Sequence, residues 1–179
     1  MAGTVSPLDL AIKDSVAVLA LNRPEVANAF NAELINAIKA ALKKADAEPG
    51  VRAIVVRGLG KHFSAGADLA WMKASSALSE RDNDKEARSL GQMFDLLAAG
   101  LPSLAVVHGS AFGGAVGLAA ACDVAIAADS ARFCLSEVRV GLYPAVILPH
   151  LMRKMPMGTL RRLALSGRVF SAQEALAAG

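Results

Sequence analysis

Leu104-Ala105-Val106-Val107, His108-Gly109-Ser110-Ala111-Phe112-Gly113-Gly114-Ala115-Val116-Gly117 and Val124-Ala125-Ile126-Ala127 follow one another along the chain, and their order decides the fold. The first and last are short unbroken apolar runs, as expected of strands in a parallel sheet. Between them a glycine turn over 109–114 opens an Ala-rich stretch that reads as a helix. Strand, turn, helix and strand in that order form a crossover between parallel strands. Upstream the same order begins again: Ala53-Ile54-Val55-Val56 reads as a buried strand, Gly58-Leu59-Gly60 breaks it, and His62-Phe63-Ser64-Ala65-Gly66-Ala67-Asp68-Leu69 follows. The expectation is an α/β fold with helices packed on a sheet.

Outward from these segments, Val16, Val18, Leu19 and Leu21 predict a strand that stops at Asn22-Arg23-Pro24, where proline removes a donor from the ladder. Leu34, Ile35, Ile38 and Leu42 have helical spacing, with Asn31 as N-cap and Pro49-Gly50 as the stop, so a helix is expected over 32–48. Residues 74–86 are polar and poor in large apolar anchors, and read as a mobile lid or pocket wall before a helix over 88–97. Beyond Leu142 the pattern predicts helices at 150–154, 159–165 and 172–178.

The 179 residues suit one domain, 1–179, and a 54% apolar, 20% charged composition describes a folded globular chain. Net charge is +3, with the cations scattered singly or as pairs such as Lys43-Lys44, which gives no footprint for nucleic acid but suits a small anionic ligand. No apolar run reaches membrane-spanning length without glycines or Asp123 interrupting it, and residues 1–7 lack the pattern of a signal peptide. Cys122 and Cys134 each lie inside an apolar, strand-like run with no CxxC pair, as buried thiols of a reducing, cytoplasmic setting would. His62, His108 and His150 match no metal-ligand spacing, Ser64 lies outside a Gly-x-Ser-x-Gly elbow, and Gly58-Leu59-Gly60 lacks the third glycine of a dinucleotide loop. No metal and no separate cofactor is expected.

Both glycine segments follow the carboxyl end of a strand, where parallel sheets place ligands. Small residues there let a ligand approach the backbone, and peptide N–H groups at such turns carry partial positive charge. Two converging donors of this kind would stabilise a thioester enolate.

Asn22-Arg23-Pro24, residues 63–69, Phe112-Gly113-Gly114, Ala121-Cys122-Asp123 and Phe133-Cys134-Leu135-Ser136-Glu137 resemble the crotonase (enoyl-CoA hydratase/isomerase) family in order and spacing, over nearly the whole chain. The resemblance implies a spiral of ββα units and an acyl-CoA substrate, with coenzyme A entering as part of that substrate. It makes the N–H groups of Ala67 and Gly114 the oxyanion donors and Glu137 the acid/base residue. It lays Ala65, Ala67, Asp68, Leu69 and Ala70, with Gly114, along the CoA moiety. Desolvation in an apolar pocket would raise the Glu137 pKa towards neutrality. Family members usually continue well past the position of Gly179 into helices that cover CoA and help form trimers. This sequence lacks that helical region, so a homotrimer or dimer of trimers is the expectation where those helices are present.

The commonest hydratases carry a second Glu three residues beyond the oxyanion glycine. Here that position is Gly117, which leaves one catalytic carboxylate; either water addition is limited by the missing second one or the pocket uses the space for a bulky branched substrate. A hydratase of 2-enoyl-CoA is the first expectation, an isomerase of the same fold the second, and an inactive oligomerisation protein a third. Residues 60–72 and 136–147 look like the methylglutaconyl-CoA and isohexenylglutaconyl-CoA hydratase subgroup, which would place the chain in leucine or acyclic-terpene degradation. Its substrates bear a distal carboxylate, for which Arg139, His150 and Lys154 are candidate partners. Arg23, Arg57 and Lys61 are candidates for the CoA phosphates. Asp123 is expected to be structural, and Trp71 to pack a pocket wall.

Overall fold

A computed structural model describes residues 6–179. In chain order the strands are β1 (Leu8–Lys13), β2 (Val16–Leu21), β3 (Ala53–Gly58), β4 (Ser103–Val107), β5 (Ser110–Phe112), β6 (Val124–Ala127), β7 (Arg132–Cys134) and β8 (Val169–Ser171). The helices are α1 (Ala32–Ala47), α2 (Leu69–Ser75), α3 (Glu80–Ala99), α4 (Gly114–Ala121), α5 (Leu148–Leu151), α6 (Met157–Ser166) and α7 (Ala172–Ala177). Among the described residues, no helix is long and apolar enough to cross a membrane.

Two sheets organise the molecule, one ordered β1-β2-β3-β4-β6 and the other β5-β7-β8. In the larger sheet β2, β3, β4 and β6 run parallel, and only β1 is antiparallel. β5 and β7 are parallel in the smaller sheet, and an isolated parallel bridge from Ser64 to Ala111 extends that order backwards. Each unit therefore places one strand in the large sheet and the next in the small one before a helix returns the chain: β3 and Ser64, then β4 and β5, then β6 and β7. This is the expected α/β spiral of ββα units.

Leu19 pairs with Val56 and Val56 with Ala105, so one buried row runs across three strands. The intervening residues of β3 are only half-buried or exposed. The strand thus alternates, where unbroken apolarity predicts burial on both faces. α1 covers the buried face with Leu34, Ile35, Ile38, Ala41, Leu42 and Ala45, and the Asn31 side chain caps it by accepting the Leu34 N–H at 2.9 Å. Wholly apolar α4 sits in the core, with Ala115, Val116, Gly117, Leu118 and Ala119 all buried.

Three expectations need correction. Residues 74–86 do line a pocket wall, through Ser75, Ser76, Asn83 and Glu86, but they are mostly helical: α2 ends at Ser75, and α3 begins at Glu80 under a Ser79 cap that accepts the Asp82 N–H, with Lys85–Asp82 and Arg88–Asp84 pairs along its exposed side. Local charge pairing and capping stabilise the segment in place of apolar anchors. The glycine turn over 109–114 contains β5. Cys122 caps the end of α4 and does not sit in a strand, although both thiols are buried and unpaired; burial pushes the Cys122 thiol up to about 12.

Candidate active site

The two glycine segments meet because the spiral lays them side by side. Past the isolated Ser64–Ala111 bridge the two segments stay adjacent, and Ala67 and Gly114 come to line the same cleft. Gly66 makes the approach possible: a Cβ there would run into the Phe112 carbonyl oxygen and lie 3.2 Å from its carbon, and φ is +87°. On the other side, Phe30 bridges Ala67, donating its N–H to Gly66 O at 2.7 Å and accepting from the Asp68 N–H at 2.9 Å. That pairing turns the Ala67 N–H away from Phe30. The Gly114 N–H opens α4 and has no carbonyl one turn back to bond within the helix. Among the described residues, neither group has a hydrogen-bond acceptor.

Both residues line one cleft of about 630 Å³, together with Phe30, Trp71, Glu86, Glu137 and Ile147 among others. Glu137 reaches it from the short 3₁₀ turn Glu137–Val140, which Gly141 closes with φ +74°. Its Oε1 would stand 3.4 Å from a Cβ on Gly113, whose φ of +52° also favours glycine. Glu137 Oε2 is buried without a hydrogen-bond partner, and burial raises the carboxyl above its ordinary pKa. The structure thus brings Ala67, Gly114 and Glu137 together.

The remaining candidates divide. Ala65, Leu69 and Ala70 are exposed beside the cleft, while Asp68 caps α2 by accepting from the Ala70 N–H at 2.9 Å and pairs with Arg23 at 3.0 Å. Burial works to raise the Asp68 carboxyl, but the Arg23 hydrogen bond and the cap hold it below its usual value. Arg23 also donates to Ala29 O, so it braces this loop, whereas Arg57 and Lys61 are exposed. None of the three acyl-tail candidates lines the cleft. Arg139 Nε donates to Gly167 O at 2.8 Å, Lys154 Nζ donates to Asp123 O at 2.6 Å, and His150 is buried against Phe94. Desolvation lowers the His150 pKa.

The position of Gly117 is closed. A Cβ there would overlap Ile147 Cγ2 and lie 2.7 Å from Ile147 Cβ. That space belongs to the core and not to a branched ligand. Asp123 is structural, accepting from the Ser103 N–H and hydroxyl at 2.7 and 3.0 Å. Trp71 forms a cleft wall. Among the described residues no His, Cys, Asp and Glu cluster could hold a metal; the Nδ1 of His62 accepts the Ser110 N–H at 3.2 Å, and His108 Nε2 lies 3.0 Å from Gly60 O.

Asn28 escaped the sequence reading. It is fully buried at φ +54°, its Oδ1 accepts the Arg23 N–H, and its Nδ2 donates to the carbonyls of Leu59 and His62. The Ser64 hydroxyl donates to the Asn28 carbonyl at 2.8 Å. One side chain thereby fixes the loop carrying Phe30 against the loop carrying Ala67. Its proximity to Asn22-Arg23-Pro24 was the available signal.

The α/β spiral brings Ala67, Gly114 and the buried carboxyl of Glu137 to a single cleft. The chain belongs to the enoyl-CoA hydratase/isomerase family, which it matches over residues 11–179. It is 38% identical over 168 residues to a Thermus thermophilus protein named as an enoyl-CoA hydratase, covering 93% of this chain and 66% of that one. Its identity to a crotonyl-CoA hydratase of Syntrophomonas wolfei is 37% over 171 residues, covering 93% and 64%. The chain thus spans about two thirds of the length of the curated relatives it matches. Among solved structures, a Legionella pneumophila protein described as an enoyl CoA hydratase/isomerase (crotonase) superposes with TM-score 0.95 at 42% identity, covering 97% of this chain and 68% of that one. Pseudomonas aeruginosa AtuE superposes with TM-score 0.92 at 35% identity, covering 96% and 67%.

Proposed function

We propose that the protein is an enoyl-CoA hydratase, a lyase that adds water across the double bond of a 2-enoyl-CoA thioester. One observation carries this reading: the Ala67 and Gly114 N–H groups, free of protein acceptors, open on the same cleft as the buried, unpartnered Oε2 of Glu137. In the proposed reaction the thioester oxygen accepts from both N–H groups. Glu137, as carboxylate, orients a water and takes its proton as the oxygen attacks C3. The electron pair of the double bond moves to the thioester oxygen, where the two N–H groups stabilise the enolate. Glu137 then returns the proton to C2, so the product gains one water and the enzyme is unchanged. The exposed residues Ala65, Leu69 and Ala70, with Asp68, form the surface along which CoA lies.

For the acyl group we take a branched, glutaconyl-type chain, supported by residues 60–72 and 136–147. With no Lys, Arg or His lining the cleft, its distal carboxylate meets neutral donors such as Asn83 and Tyr143. A cytoplasmic setting, one domain over 1–179 and a trimeric assembly belong to the same proposal. Unpaired buried thiols favour the first. The exposed Val124 and Ile126 of edge strand β6 offer apolar surface for the last.

A second reading, double-bond migration, is favoured by the closure of Gly117, because one carboxylate suffices to shuttle one proton. The test follows loss of enoyl absorbance with methylglutaconyl-CoA, isohexenylglutaconyl-CoA and crotonyl-CoA in parallel. Hydration of the branched substrates at the highest kcat/KM is expected. Double-bond migration without hydration would replace the hydratase reading.

A further inference from the structure

The cleft contains a second carboxyl group that the proposed chemistry does not use. Glu86 of α3 lines it beside Trp71 and Ser75 of α2. Trp71 Nε1 donates to Glu86 Oε1 at 3.2 Å, and Ser75 Oγ donates to Glu86 Oε2 at 2.5 Å. The two donors stand four residues apart on one face of α2, so a single side chain of α3 engages both.

α2 needs such a tie. It has seven residues and no fully buried side chain, too short to be stable without tertiary anchoring. Its first turn is fixed by the Asp68 cap and the Arg23–Asp68 pair. Leu69, next in line, is 76% exposed and anchors nothing. Further along, Glu86 supplies polar ties from the body of the protein to α2, and Trp71 is part of the cleft wall. Because α2 starts just past Ala67, its orientation bears on both the wall and one oxyanion donor. Each Glu86 oxygen already accepts a hydrogen bond, whereas Glu137 Oε2 accepts none, so Glu86 is engaged as an acceptor and is not poised to take a substrate proton.

We propose that Glu86 is a positioning residue: it clamps α2 to α3 and holds Trp71 as a fixed wall, so that the acyl pocket is formed before acyl-CoA arrives. Its role in turnover rests on the acyl-thioester reading of the cleft. Trp71 is the chain's one tryptophan, so intrinsic fluorescence reads the clamp directly. In ligand-free protein, Glu86→Ala should raise acrylamide quenching of Trp71 about twofold or more, as expected when a half-buried ring gains solvent access. Glu86→Gln, which keeps one carbonyl acceptor, should shift it less. With enoyl-CoA, Glu86→Ala, which removes both hydrogen bonds of the clamp, should raise KM about tenfold, while kcat stays within about threefold. Ser75→Ala removes one leg of the clamp at a half-buried position and should give an intermediate shift even if Glu86→Ala folds poorly. Quenching unchanged in all three variants would overturn the clamp, and a collapse of kcat at constant KM would place Glu86 in the chemistry instead. A quenching shift in the variants, with a wild-type protein that binds no acyl-CoA, would support the clamp while overturning the reading of the cleft.

Discussion

Gly117→Ala adds one methyl group at a point where the core has no room. The new Cβ would lie 2.7 Å from Ile147 Cβ, closer still to Ile147 Cγ2, and 3.4 Å from Phe94 Cζ. Ile147 and Phe94 are both buried to within 2%, so neither can swing into solvent. Helix propensity favours Ala over Gly by about 1 kcal/mol. Overpacking of this kind costs about 1–3 kcal/mol, and contacts this short belong at the upper end. The net expectation is a loss of about 1–2 kcal/mol, or roughly 2–8 °C in Tm for a chain of this size. Gly117→Glu should lose more, because it also buries a carboxyl group. Urea denaturation and thermal melting of both variants measure this, and the loss caused by Gly117→Ala should shrink in an Ile147→Ala background, where Cγ2 is absent. A Gly117→Ala variant as stable as the parent, or a Gly117→Glu variant that melts normally and hydrates faster, would refute the claim that this site is closed to a second carboxylate.

Asn28→Ala should cost about 2–4 kcal/mol in urea denaturation, because it strands the Leu59 and His62 carbonyls and the Arg23 N–H; a loss below about 1 kcal/mol would remove its role as the loop anchor. Burial raises the Glu137 carboxyl, so the folded state binds this proton more tightly than the unfolded one. The associated stability is complete below the ordinary Glu pKa and is lost as pH rises through the raised value. Glu137→Gln should therefore be more stable than the parent at pH 7, with the gap shrinking towards pH ~4. An equal stability difference at both pH values would contradict the shift.

Periodicity made the larger sheet readable: β2, β3 and β4 are apolar runs with proline or glycine close by, β6 is a shorter apolar run between Asp123 and Asp129, and α1 carries its cap and its buried stripe in plain sequence. β1 was missed although Leu8, Leu10 and Ile12 alternate with Asp9, Ala11 and Lys13, because its turn, Asp14-Ser15, lacks glycine. Both turn residues nevertheless adopt positive φ, at 50° and 66°, as a tight hairpin requires. The three-residue strands β5, β7 and β8 are too short to produce a period, and only pairing across the chain defines them. Ala67, Gly114 and Glu137 were legible through motif order, and the structure brings them to one cleft. Cations were a different matter. Where Arg139, Lys154 and His150 point is set by distant partners, Gly167 O, Asp123 O and Phe94, which no local pattern announces. The same is true of Glu86, whose partners Trp71 and Ser75 lie on another helix, and of Ile147, which fills the space beside Gly117.

The central claim is that Glu137 performs the proton transfers on a thioester held by Ala67 and Gly114, and Glu137→Gln tests it most directly. The carboxamide keeps the side-chain shape but cannot take a proton, so hydration of enoyl-CoA should fall by about 10²-fold or more. Binding of the same acyl-CoA, measured by titration calorimetry, should persist. Hydration by Glu137→Gln at the parent rate would contradict the account.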